Sequence, residues 1–168
     1  ALREAFEAGI VTVASAGNLG SEGCVSEPAT APRVIGVGGT TEGGCLGGYS
    51  LAGSRIDLVA PGGGIPKGGC PSVSARPIYQ VTLYPGSTSA FAMPATYVGT
   101  SMSAAHVSGA AAMVLASKAV DSALKGRGLV EAVTRRLRKT ARDLGLPATE
   151  QGAGLIDVGR ATEPRKRP

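Results

Sequence analysis

The segment VGTSMSAAHVSGAAAMVL, residues 98–115, places Thr100, Ser101, Ser103 and the single histidine of the chain, His106, at the opening of an apolar run. Hydroxyl residues at a helix start have two uses. One is capping, in which the side-chain oxygen satisfies backbone N–H groups that have no intrahelical acceptor. The other is nucleophilic catalysis, because the positive end of the helix stabilises an oxyanion that develops beside it. Gly99, Ala104, Ala105 and Gly109 are small enough to let a second backbone, or a substrate, approach closely. A serine nucleophile also needs a base within hydrogen-bond reach, itself oriented by a third group. His106 does not qualify, since five residues along a regular helix put it about 140° around the axis from Ser101. Asp143 follows a basic helix and reads as an exposed or helix-end charge rather than as the orienting acid.

The elements that must hold these residues alternate between strand and helix. Residues 2–8 read as helix, and GIVTVASAG that follows is a β-branched run closed by small residues. RVIGVGGT and IDLVAPG are two more short apolar runs ended by glycine, and IYQVTLYPG alternates in the strand manner before a Pro-Gly turn. Helices are expected over about 100–118, 128–143 and 157–162. Apolar strands without alternation, interleaved with helices, predict an α/β fold whose mostly parallel sheet is covered on both faces. No internal repeat and no second domain emerge.

Composition agrees: 168 residues, 43% hydrophobic and 17% charged, suffice for one domain with a real core. The 26 glycines and 11 prolines lie between apolar runs and so mark turns rather than a low-complexity tract. No apolar stretch reaches the ~20 residues of a membrane span, and nothing resembles a signal peptide. ALREAFEAG reads as the tail of a helix already under way, which predicts that an N-terminal part precedes it. Of 17 Lys and Arg residues, seven lie between Lys125 and Arg142. They fall mostly between Leu129, Val133, Leu137 and Leu144, the pattern of a solvated helix face. With no Trp and few other aromatics to stack on bases, a nucleic-acid partner is excluded.

Cys24, Cys45 and Cys70 all occupy Gly-rich loops and lack zinc-site spacing, which favours a disulfide and a secreted or extracytoplasmic setting. Cys45 and Cys70 flank the DLVAPG strand in loops that can meet at one end of the sheet. They are the expected bridge, leaving Cys24 free or bonded elsewhere.

GTSMSAAHVSGAAAMVL resembles the nucleophile motif of the subtilisin-like serine proteases (subtilases, peptidase family S8), commonly GTSMAxPHVAG. VASAGN resembles the oxyanion-hole strand of that family, and EPATAPRVIGVGGT its proline turn and next strand. YSLAGSRIDLVAPGGG resembles its (Y/F)S-x-x-G…D-x-x-APG block, and GAGLIDVGRA its closing block. These blocks run in the family order over residues 1 to about 162, leaving 163–168 as a basic tail expected to be disordered. The resemblance implies the C-terminal portion of a subtilisin-like three-layer catalytic domain, with a peptide or protein as substrate. It implies Ser101 as nucleophile, and Asn18 as the side-chain amide that shares the oxyanion with the Ser101 N–H. Thr100 becomes the hydroxyl supporting that hole. Ser15, Ala16 and Gly17 become the strand that pairs with substrate and walls the primary specificity pocket.

The blocks that carry the family's aspartate and histidine, D-T/S-G and H-G-T-H, are absent, so these two groups are expected from a missing N-terminal segment or a partner chain. The other reading is an inactive remnant, a pseudoprotease with a binding or regulatory role. No cofactor is required; calcium held by loop carbonyls is possible and unassigned, because such ligands leave no trace in sequence. Ala105 stands where the family has proline, which implies a straighter first turn and a slightly displaced Ser101. Glu27 replaces a frequent aromatic and reads either as a selector of basic or small residues or as a solvated carboxylate. Pro28 is a candidate cis proline by the same resemblance. Geometrically, Asn18 and Ser101 should converge to within roughly 8 Å, the reach of two donors to one oxyanion, with His106 turned into the helix packing surface.

Overall fold

A computed structural model describes residues 1–20, 23–71, 74–84, 86–93 and 96–164. A short helix α1 (Leu2–Glu7) leads into β1 (Thr12–Ser15), followed by β2 (Val34–Thr40) and β3 (Leu58–Pro61). These pair in parallel in the order β1-β2-β3, with Val37 opposite both Ser15 and Leu58. Every residue of β2 is buried, as a central strand covered on both faces requires. Alternation along the strands supplies two cores. Ile35, Val37, Leu58 and Ala60 pack on one side against helices, whereas Val34, Val59 and Ala14 pack on the other against Val25, Leu46 and Leu51.

The first core is roofed by α2 (Thr100–Ala116), α3 (Gly126–Thr140) and α5 (Val158–Thr162), through Val107, Val114, Val133, Leu137 and Ala161. The second is covered by loops, among them the segment around the one-turn helix α4 (Ala148–Gln151). Helix α2 carries apolar residues on its exposed side as well as on its buried one. Its inner face (Val107, Ala110, Ala111, Val114) is buried, yet Met113 and Leu115 are 52% and 43% exposed on the outer flank. The outer edge of β1 has no partner strand among the described residues.

IYQVTLYPG, which reads as a strand, contributes only β4 (Thr82–Leu83), paired antiparallel with β5 (Phe91–Ala92); Pro85 lies outside the described residues. The alternation there has no layer to bury it, and Tyr79, Val81, Tyr84 and Phe91 stand in solvent. A two-stranded ribbon of this kind is short for want of a third strand.

Cys45 and Cys70, 25 positions apart in sequence, form a disulfide with Cα atoms 6.0 Å apart; Cys24 is exposed and free. Closing such a loop stabilises by about 3 kcal/mol in the chain-entropy model. Proteolysis of unreduced protein should therefore yield one linked peptide pair containing Cys45 and Cys70, and a lone Cys24 peptide that reacts with iodoacetamide. A Cys24–Cys45 link would contradict this pairing.

Candidate active site

Asn18 and Thr100 are 82 positions apart, yet their side chains bond directly. Asn18 follows the C-terminal end of β1, where chain leaves the sheet, and Thr100 opens α2 beside that end. Open parallel sheets place their sites at these strand ends. The Thr100 N–H donates to Asn18 Oδ1 at 2.9 Å, and the Thr100 hydroxyl donates to the same oxygen at 2.9 Å. In turn the hydroxyl accepts the Gly17 N–H at 3.1 Å. A backbone N–H can only donate, so the amide atom facing it must be the carbonyl oxygen. That orientation leaves both Nδ2 hydrogens turned away from Thr100. Thr100 is fully buried, which fixes the arrangement.

Ser101 follows in the first turn of α2 and is exposed. Its N–H is one of the helix donors without an intrahelical acceptor. Gly99, just before the helix, has φ of 146°, and a Cβ there would meet the Asn18 amide at 3.0 Å. Glycine is thus required by both backbone conformation and space. The structure therefore brings together an exposed hydroxyl, a free N–H and an oriented amide around the start of one helix.

Ser15, Ala16 and Gly17 do not present their backbone alike. The Ala16 N–H donates to Val37 at 2.9 Å, and its carbonyl accepts from Ser26 at 2.8 Å. Gly17 is likewise engaged, donating to Thr100 and accepting from Leu51 at 3.3 Å. Successive strand residues direct their backbone groups to opposite edges. Ser15 alone of the three therefore faces the unpaired edge of β1.

His106 is exposed, with Nδ1 2.8 Å from the Met102 carbonyl on its own helix. The expectation that it turns into the helix packing surface is not met. That surface belongs to Ser103, Val107, Ala110 and Val114, and the 3.6-residue repeat sets His106 on the outer flank. Ala105 lies on the same exposed side, and α2 runs without interruption from Thr100. Glu27 is exposed, bonded to the Thr30 hydroxyl, and precedes a cis peptide at Pro28. Asp57 pairs with Arg138 at 3.2 Å and accepts the Gly36 N–H at 3.0 Å, a structural role. Asp143 accepts from the Gly145 N–H and the Gln151 amide, which hold its carboxyl below the usual range. Among the described residues no three His, Cys, Asp or Glu side chains gather into a metal-binding group, and no helix is long and apolar enough to cross a membrane.

Sequence reasoning missed what lies under the helix. A Cβ on Gly62 would sit 2.6 Å from Ser103 Oγ and 2.7 Å from the Gly99 carbonyl, and would touch the Tyr49 hydroxyl as well. Among the described residues the buried Ser103 and Tyr49 oxygens have no hydrogen-bond partner, and burial pushes the Tyr49 phenol up to about 12. Both residues were visible in the quoted motifs, but nothing in their spacing showed that they meet at Gly62.

Residues 1–155 match the subtilase family (Peptidase_S8). Among known proteins the chain is similar to a subtilisin of Bacillus pumilus, 36% identical over 163 residues that cover 95% of this chain and 49% of that one. It is equally similar to subtilisin E of Bacillus subtilis strain 168, 36% identical over 163 residues, or 35% of that protein. The chain thus spans about half, or less, of the relatives it matches. Among solved structures, a lanthipeptide protease superposes with a TM-score of 0.72 at 25% identity, over 96% of this chain and 53% of the other. A protease of Pseudoalteromonas arctica PAMC 21717 gives 0.70 at 27% identity, over 96% and 44%.

Proposed function

Because the chain belongs to the subtilase family, we propose that it forms the nucleophile-bearing portion, residues 1–162, of a serine endopeptidase domain. Its substrate is a peptide or protein. Ser101 Oγ attacks the scissile carbonyl, and the resulting oxyanion accepts hydrogen bonds from the Ser101 N–H and Asn18 Nδ2. The observation that carries this reading is the pair of hydrogen bonds that the Thr100 N–H and hydroxyl donate to Asn18 Oδ1. It holds the amide with its donors free, beside an exposed serine, before any substrate arrives. Preorganised donors of this sort stabilise charge without reorganising during reaction. Thr100 acts through Asn18 and is a positioning residue.

The base and its orienting acid come from a histidine and an aspartate outside this chain, on an N-terminal segment or a separate polypeptide. Two surfaces support that arrangement: the unpaired edge of β1 and the apolar outer flank of α2, where Met113 and Leu115 stand exposed. The proposed reaction uses side chains and backbone donors alone, without a cofactor. The Cys45–Cys70 bridge supports an extracytoplasmic or secreted setting.

Fluorophosphonate labelling tests the proposal, because the reagent marks only an activated serine. The chain alone should label poorly, and label at Ser101 once a segment carrying the subtilase aspartate and histidine blocks is co-expressed. Strong labelling of the chain alone, lost in Ser101→Ala, would mean that the base lies within it. Absence of labelling in the assembled protein would favour an inactive remnant.

A further inference from the structure

A second concave feature lies at the opposite, N-terminal end of the strands from Ser101. The N-terminal ends of β2 and β3, the end of α1 and one face of α3 enclose an open cleft of about 930 Å³. Val34, Ile35, Ile56 and Val130 form an apolar floor. The rim is cationic. Arg127, Glu131, Thr134, Arg135 and Arg138 follow one another at helical spacing down the face of α3, with Lys139 beside them. Arg33 and Arg55 stand across from them on the strand side. Arg138 is paired with Asp57, but among the described residues the Arg55, Arg127, Arg135 and Lys139 side chains bond to nothing.

Arg33 adds an independent sign. Its φ of 71° lies in the left-handed region, strained for a residue with a Cβ. Its guanidinium sits 5.2 Å over the centroid of the Phe6 ring. The backbone thus accepts strain at the mouth of the cleft while the cation is held in a defined place.

We infer that this cleft binds an acidic peptide segment in extended conformation, its carboxylates on the arginine rim and an aliphatic side chain on the floor. Arg127 and Arg138 are separated by about 16 Å along α3 at 1.5 Å per residue, the length of about five extended residues. A single phosphate or sulfate cannot span that distance. A uniformly charged polyanion would meet Glu7 and Glu131, which also line the cleft, whereas a peptide can set neutral residues against them. Nucleic acid is disfavoured because base stacking needs an open aromatic face. Phe6, the one aromatic in the lining, is buried beneath Arg33. The inference does not depend on Ser101 being catalytic.

Fluorescence anisotropy of the chain with a labelled Glu-Leu-Glu-Glu-Leu-Glu peptide tests it. The peptide should bind at low salt and weaken as ionic strength rises, because the rim is solvent-screened. Its Gln-for-Glu counterpart should not bind. The double variant Arg127→Gln/Arg135→Gln should bind the acidic peptide about tenfold more weakly, the scale of two exposed ion pairs. Both arginines are exposed and, among the described residues, neither side chain makes a hydrogen bond or an ion pair, so folding is not at issue. The inference is overturned if the acidic peptide does not bind, or if the Gln peptide or the double variant binds as well as the original pair. It is also overturned if polyphosphate or oligo-thymidine displaces the acidic peptide at lower concentration than the unlabelled peptide itself.

Discussion

In the proposed assembled protease, Ser101→Ala should lower kcat by about 10⁶, the loss known for the equivalent change in subtilisin. The magnitude follows from losing the covalent step altogether, with only binding and oxyanion donors left to act. The substitution removes one exposed oxygen and leaves α2 intact, because Ser101 contributes nothing to the packed face of Ser103, Val107, Ala110 and Val114. Substrate affinity and thermal stability should therefore stay near their original values while turnover vanishes. The measurement is steady-state hydrolysis of a chromogenic peptide. A variant that retains a hundredth of the original rate would identify another nucleophile.

Asn18→Ala is expected to lower kcat by about 10²–10³ with little change in KM, again the magnitude known for the corresponding amide of subtilisin. An oxyanion exists only after attack, so its donors act on kcat and not on ground-state binding. The Thr100 bonds make a finer distinction. Thr100→Val keeps the shape of the buried side chain but removes the hydroxyl that donates to Asn18 Oδ1 and accepts from Gly17. The amide then keeps only the backbone bond from residue 100 and can turn. A fall in kcat of roughly tenfold follows from one weakened charge-stabilising donor, with recovery in Thr100→Ser. A purely structural role would instead lower stability in Thr100→Val and leave kcat per folded molecule unchanged.

Much of this arrangement was legible in the sequence because motif and local pattern agreed. The runs GIVTVASAG, RVIGVGGT and IDLVAPG read as strands, and each contains one strand of the parallel sheet. The polar opening of α2 announced Thr100 and Ser101. What stayed hidden depended on contacts far apart in the chain. Helix α3, read as 128–143, runs from Gly126 to Thr140. Two glycines at its start look like a break, and its end is fixed by the pairing of Arg142 with Leu155, which pulls the chain out of the helix. His106 could be placed around the helix axis by arithmetic, but its exposure depends on which flank the rest of the molecule covers. The cationic cleft escaped notice for the same reason. Arg33 and Arg55 precede two different strands, and only the folded sheet sets them opposite the stripe on α3.

The cysteines have a practical consequence. With Cys45 and Cys70 bridged, Cys24 is the only thiol open to reagent, and it is exposed. It lies six positions after Asn18, in a loop tied back to Ala16 by the Ser26 N–H. A maleimide dye attached there, with no engineered residue anywhere in the chain, gives an optical reporter on the loop that follows the proposed oxyanion donor Asn18. Its emission would register the arrival of a peptide, or of a complementing polypeptide, in real time and without turnover.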